Sequence, residues 1–314
     1  IVSAGVTRLT NMQNSDGGWG WFSGGKGYSY PHTTAVVVHG LQVAVTNDVK
    51  VDPNIIKRGV QWLQRHETAE VAKIKRHGTD KKPSKAYADN RDALIYMILA
   101  EAGEENVEMQ QFLYRDRSRL SVYGMVVYAL GLETRKHQEE LTMLVRNIEQ
   151  YLEQDEENET AYLELPAGGS WWNWYGDEIE TNAYYLKLLA RVKPDSMQAS
   201  RLVKYLLNNR KHATYWKSTR DTSLCVEAFS EYIQASGEAK PNMDVEIWVD
   251  GKKRKEVHID ANNLFSFDNK FILSGDEVLD GTHSIELRRK GEGPVYFNVY
   301  LTNFTLEDFI TKAG

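Results

Sequence analysis

A repeating cycle of helix, aromatic loop and helix constrains this chain more than its bulk composition does. The first helix of each cycle ends in an aromatic–leucine or leucine–threonine pair followed by Gln or Asn. This ending occurs at Arg8-Leu9-Thr10-Asn11-Met12-Gln13, Gln61-Trp62-Leu63-Gln64-Arg65, Gln150-Tyr151-Leu152-Glu153-Gln154 and Lys204-Tyr205-Leu206-Leu207-Asn208. A loop follows, often aromatic and glycine-rich, as in Gly17-Gly18-Trp19-Gly20-Trp21-Phe22, Gly168-Gly169-Ser170-Trp171-Trp172 and Thr214-Tyr215-Trp216. The next helix opens near a Thr, Ser or Asp, at Thr33-Thr34-Ala35, Arg91-Asp92-Ala93, Thr181-Asn182-Ala183 and Asp221-Thr222-Ser223. Self-similarity of this kind marks an array of helical hairpins. Five pairs are expected, over about 1–46, 53–102, 107–132, 138–192 and 195–236.

Apolar periodicity supports the array. Residues recur at helical spacing in Ala35, Val36, Val38, Leu41, Val45 and in Leu94, Ile95, Ile98, Leu99. The same period holds in Leu120, Tyr123, Val127, Leu130 and in Ala183, Tyr184, Leu186, Leu188, Leu189. Asp52-Pro53 reads as an N-cap followed by an N1 proline, and Pro194-Asp195-Ser196 opens the helix that runs to Arg210. Antiparallel hairpins in this order can close into a ring of inner and outer helices. The fold expected is mainly α, an α/α toroid of the α6/α6 type with its first helices missing, occupying residues 1–238. Beyond Pro241 the apolar period changes from 3.6 to 2. Val245–Val249 and Lys255–Ile259 flank Asp250-Gly251-Lys252, a hairpin signal. Leu264–Phe267, His283–Leu287 and Val295–Leu301 read as further strands, so a small antiparallel β domain is expected over 241–314.

Composition narrows the function. A formal net charge of -6 argues against a nucleic-acid partner, which needs Lys and Arg to neutralise phosphates. A single cysteine excludes an internal disulfide or a cysteine-rich metal site. No apolar run reaches the roughly 20 residues a membrane span needs. The opening Ile1-Val2-Ser3-Ala4-Gly5-Val6 lacks a charged n-region and does not begin with Met, so the chain is expected to be a piece of something longer.

Three stretches, in order, carry a family resemblance: Arg8-Leu9 to Phe22, Glu178-Ile179-Glu180-Thr181-Asn182-Ala183-Tyr184, and Tyr205–Arg210 with Trp216–Thr222. In these the helical part resembles the thioester-containing domain of the alpha-2-macroglobulin and complement family. The Gly17-Gly18-Trp19 and Trp171-Trp172 details look bacterial rather than animal. The resemblance implies a protease-trapping inhibitor rather than an enzyme, secreted, periplasmic or at the cell surface. Its partners would be target endopeptidases, through the full-length protein, and other macroglobulin-like domains of the same chain. Residues 241–314 would belong to a CUB-like or macroglobulin-like β domain. In that family a protease cuts a bait segment, the molecule rearranges, and a buried Cys–Gln thioester is exposed to a nucleophile on the target. The motif needs a Cys three residues before a Gln, and Cys225-Val226-Glu227-Ala228 does not provide it. The motif is therefore expected before Ile1, and a non-covalent trap without a thioester is the alternative.

The remaining residues are each weighed against a plain structural role. Cys225, between Leu224 and Val226, reads as a buried thiol. The Trp clusters followed by Asp177, Glu178 and Glu180 would suit a glycan-binding or glycan-cleaving toroid, whose chemistry needs two carboxylates. Asp177 also reads as an ordinary helix cap. Asp221-Thr222-Ser223-Leu224-Cys225 only superficially resembles a cyclase acid motif, and no Asp/Cys/His spacing provides a prenyltransferase zinc site. His32 and His39 lie seven apart on one helix, too few for a metal. His66 and His77 lie in roughly the region where related domains use a loop histidine, and neither is given a role. The basic run Lys73–Lys82 reads as a solvated loop, or a docking surface for another domain of the parent. The acidic run Asp155–Glu159 reads as a surface loop at a helix end. No catalytic, cofactor-binding or metal-binding residue is assigned.

Overall fold

In a computed structural model the described residues are 1–21, 27–166, 177–212, 214–237, 240–264, 266–278, 281–297 and 299–302. The chain divides into two compact units, Ile1–Ala235 and Ser236–Gly314.

The first unit is an α/α toroid. Its described residues contain ten α-helices: α1 (Val2–Met12), α2 (Pro31–Thr46), α3 (Pro53–Lys75), α4 (Asn90–Glu101), α5 (Val107–Asp116), α6 (Val122–Thr134), α7 (Gln138–Glu149), α8 (Glu178–Val192), α9 (Met197–Asn208) and α10 (Thr219–Ala235). The even-numbered helices pack on one another in succession, and odd-numbered helices lie against them from outside. Sequence dictates this division. Helices α4, α6 and α8 are buried on nearly every face, over Asp92–Ala100, Val122–Leu132 and Glu180–Ala190, and α6 is apolar all round. A helix apolar all round has to sit inside. Helices α7 and α9 instead bury one stripe, Leu141, Leu144, Val145, Ile148 and Ala199, Leu202, Val203, Tyr205, Leu206. Close approach of α4 and α6 requires Gly131, where a Cβ would fall 2.7 Å from the Tyr96 ring.

The predicted starts agree with the caps. Asp52 accepts from the Asn54 amide, with Pro53 at N1, and Ser196 accepts from the Ala199 amide. Helix α4 starts earlier than expected, because Asp89 and Asp92 form a reciprocal capping box. The expected helix end at Gln150–Gln154 is corrected: α7 stops at Glu149, and Leu152–Asp155 (β1) pairs antiparallel with Thr160–Leu163 (β2). The acidic run is the turn of this hairpin, and Glu156 and Glu159 pair with Arg201 and Lys204 of α9.

The second unit is built on a three-stranded antiparallel sheet of order β4-β3-β5, with β3 at Asn242–Val249, β4 at Lys252–Asp260 and β5 at Ile285–Glu292. The hairpin turn is Asp250-Gly251, with φ values of 51° and 72°, the pair of positive angles a type I′ turn demands. Two expected strands are corrected. Among their described residues, Leu264–Phe267 and Val295–Leu301 form no strand. The amides of Ser266 and Phe267 both donate to the Asn263 carbonyl, so they turn locally instead of joining a ladder. Leu264, Phe267 and Val295 still pack on the small core of Met243, Val245 and Ile259. Burial, not strand pairing, explains their apolar character.

Candidate functional site

The loops of the toroid are tied by a device that recurs with the sequence cycle. Trp19 is buried; its indole Nε1–H donates to the Leu9 carbonyl at 2.8 Å, and its amide donates to Thr34 Oγ1 at 2.9 Å. Trp216 repeats this ten-residue reach, donating from Nε1 to the Leu206 carbonyl at 2.8 Å and from its amide to Thr222 Oγ1 at 3.1 Å. Leu9 and Leu206 each lie in the last turn of an outer helix, where carbonyls lack partners within the helix. These Trp side chains therefore plug the ring's own core rather than form a glycan platform. Trp171, Trp172 and Trp174 lie outside the described residues.

From the middle to the C-terminal ends of the inner helices, charges from all five meet one another. His39 (α2) donates from Nδ1 to Glu101 (α4) and from Nε2 to Glu227 (α10), each at 3.1 Å. Lys187 (α8) contacts Glu227 and lies 3.2 Å from Glu231. Arg191 (α8) lies 3.0 Å from Glu231, 3.5 Å from Glu101 and 3.8 Å from Glu133 (α6). Burial opposes charge on His39, but the Glu101 and Glu227 carboxylates outweigh it and raise its pKa to about 9. Burial likewise opposes ionisation of Glu101 and Glu227, yet the His39 hydrogen bonds and the nearby Lys187 charge hold both down to about 2. Every ion answers another, and none of these values sits near neutrality. This is a stabilised electrostatic plug, not an acid–base pair.

The sequence candidates lie elsewhere. Cys225 is fully buried on α10, and burial pushes its thiol up to about 12, far from the thiolate a nucleophile requires. Asp177 caps α8 through the Glu180 amide, Glu178 accepts the Tyr205 hydroxyl, and Glu180 pairs with Arg220. Each of the three carboxylates thus already has its own structural partner. His32 is buried near Arg91 and Arg220; burial first, then these charges, lower its pKa to about 4. His32 and His39 therefore serve different surroundings despite their shared face. His66 stacks on Trp62 at 5.5 Å, and His77 packs against Tyr87 at 6.4 Å. Sequence reading left out Lys187, Arg191, Glu101, Glu227 and Glu231. Their signal was a charge set inside an apolar helical run, as in Tyr184-Tyr185-Leu186-Lys187-Leu188-Leu189.

One further buried carboxylate gives a pH expectation. Glu67 on α3 is 4% exposed, and its Oε1 finds no hydrogen-bond partner among the described residues. Burial raises its pKa to about 8, against the partial relief of Asn106. The unfolded chain releases this proton near the ordinary glutamate value of 4.5 and the folded chain near 8, so Glu67 subtracts stability progressively across that window as pH rises. Glu67→Gln should match the native chain at pH 4 and exceed it in melting temperature at pH 8.5. Equal melting temperatures at pH 8.5 would contradict the buried ionisation.

Comparison with known proteins agrees with this geometry. Residues 102–232, spanning α5 to α10, match the A-macroglobulin TED domain family. The chain is 25% identical over 241 residues to a curated alpha-2-macroglobulin of Thermotoga maritima, covering 75% of this chain and 12% of that protein. Among solved structures, native Escherichia coli alpha-2-macroglobulin from domain MG7 to the C-terminus has a TM-score of 0.56 at 18% identity, covering 85% of this chain and 39% of that one. Salmonella alpha-2-macroglobulin reacted with methylamine gives a TM-score of 0.56 at 19% identity, covering 85% of this chain and 16% of that one. The chain thus spans a small part of the relatives it matches, and shares with the solved structures the toroid fold. Residues 102–232 thus match the A-macroglobulin TED domain family, and the chain as a whole is similar to bacterial alpha-2-macroglobulins.

Proposed function

We propose that this chain forms part of a protease-trapping inhibitor rather than an enzyme. The observation that carries the reading is the TED match over residues 102–232, which takes in three of the five helices whose charges meet in the ring, α6, α8 and α10. The trap would act outside the cytoplasm, secreted, periplasmic or at the cell surface, with endopeptidases and the other domains of the full-length chain as its partners. The β unit would belong to a CUB-like or macroglobulin-like domain. The toroid would house and shield a thioester whose Cys and Gln lie outside this chain. On triggering, a lysine amine of the protease attacks the thioester carbonyl, the C–S bond breaks, an amide forms and the cysteine thiol is released. Cys225 takes no part, having no Gln three residues on.

The test uses the full-length protein mixed with an elastase- or trypsin-type endopeptidase. A trapped protease keeps its activity on a small chromogenic peptide and loses most of its activity on a large protein substrate. Full retention of activity on the large substrate, after the inhibitor itself has been cleaved, would refute the reading. Incorporation of labelled methylamine separates the two forms of trap: uptake supports the thioester, and trapping without uptake leaves the non-covalent form.

A further inference from the structure

The basic run Lys73–Lys82 is not one loop. Lys73, Ile74 and Lys75 complete the last turn of α3, where Ile74 is buried. Lys73 turns back to Glu70 at 2.5 Å, Lys85 lies 3.2 Å from the same side chain, and Lys75 pairs with Glu108. Arg76, Lys81 and Lys82 form no salt bridge among the described residues, and neither do Arg117 and Arg119 just beyond α5. Tyr87, 42% exposed, is touched from both basic segments, by His77 from the first and Arg119 from the second. The Arg119 guanidinium lies over the Tyr87 ring at 3.8 Å, and the His77 ring packs against it at 6.4 Å. Arg117 lies over the Tyr114 ring at 4.3 Å.

We propose that this Tyr87-centred surface docks an acidic segment of a protein, with Arg117, Arg119, Lys81 and Lys82 taking its carboxylates. Stacking holds each arginine in place while leaving N–H donors for a carboxylate fork, so less rotamer freedom is lost on binding. Tyr and Arg are the side chains that most often carry interface energy. The charge is local: the whole chain is acidic at -6, while Lys81, Lys82, Arg117 and Arg119 form no salt bridge among the described residues, although Asp80 lies beside Lys81 and Asp116 feels the Arg119 charge. An anionic membrane is the poorer match, because interfacial binding needs apolar side chains free to insert and here Tyr87 lies beneath a guanidinium. The proposal is independent of protease trapping, since it rests on this surface alone.

The experiment treats the full-length protein, resting and protease-cleaved, with a zero-length carbodiimide that couples lysine amines to carboxylates in contact, followed by peptide mass spectrometry. Lys81 or Lys82 should couple to a run of Asp and Glu outside residues 70–119. Coupling should fall about tenfold in Arg117→Glu/Arg119→Glu, and should weaken at high salt. Tyr87→Ala, at an exposed position, should weaken it by removing the stack while keeping every charge. Unlinked Lys81 and Lys82 in both states, or links confined to residues 70–119, would overturn the proposal. So would sedimentation with phosphatidylglycerol vesicles that the double charge reversal abolishes, which would assign the surface to lipid. Trapping is measured in parallel, so loss of coupling with trapping intact concerns this surface alone.

Discussion

Replacing Lys187 with Met should destabilise the helical unit by about 3 kcal/mol or more, the loss expected when one partner of a buried ion pair is removed. Lys187 is 1% exposed and lies between two carboxylates of α10, Glu227 and Glu231. Methionine fills a similar volume, so the loss reports charge rather than a cavity. Glu227 would keep His39 at 3.1 Å, but Glu231 would be left with Arg191 alone among its cations in the ring. Urea unfolding followed by far-UV circular dichroism measures the change. The double variant Lys187→Met/Glu227→Gln should recover part of it, because the unanswered charge is removed along with its partner. High salt should restore little, since screening acts weakly on buried pairs. A loss below about 1 kcal/mol would place the network among exposed pairs of small worth and remove the case for an electrostatic plug.

That network also shows where sequence reading stops. Helix caps are local: Asp52 beside Pro53, or Ser196 ahead of Met197, announce themselves within a few residues, and both are caps in the structure. The toroid was legible for a related reason, because the aromatic loop recurs along the chain and Trp216 sits where Trp19 sits in its own cycle. The ring's interior was not legible. His39 meets Glu101 and Glu227 across 62 and 188 positions, and no local pattern encodes a partner that far away. Helices buried on every face also lose the amphipathic stripe that would say which side faces the axis. The β1–β2 hairpin escaped because four-residue strands directly after a helix leave too little alternation to read. In the second unit the error ran the other way. Phe267 and Val295 are apolar because they cover a three-stranded sheet, and alternation alone does not distinguish a covering loop from a fourth strand.

Trp19→Ala should cost about 3 to 5 kcal/mol, the range for truncating a large buried aromatic. The ring is 1% exposed and touches the backbone of α3 so closely that a Cβ on Gly59 would fall 2.8 Å from it. The collapse needed to fill the space is therefore resisted by a helix backbone, which cannot move a side chain's distance without shifting its own neighbours. Trp19→Phe separates the two contributions. It keeps most of the ring contact but leaves the Leu9 carbonyl without its indole donor, and should lose about 1 to 2 kcal/mol. The same pair of substitutions at Trp216, 4% exposed and bonded to Leu206, should give losses of the same order. Their location, however, should differ. In an array where each hairpin contacts mainly its neighbours, damage stays near its source. Amide hydrogen exchange should therefore quicken in α1 and α2 for Trp19→Ala and in α9 and α10 for Trp216→Ala. Equal quickening at both ends in either variant would mean that the ionic plug, which joins α2 to α10 through His39 and Glu227, binds the ring into a single cooperative unit.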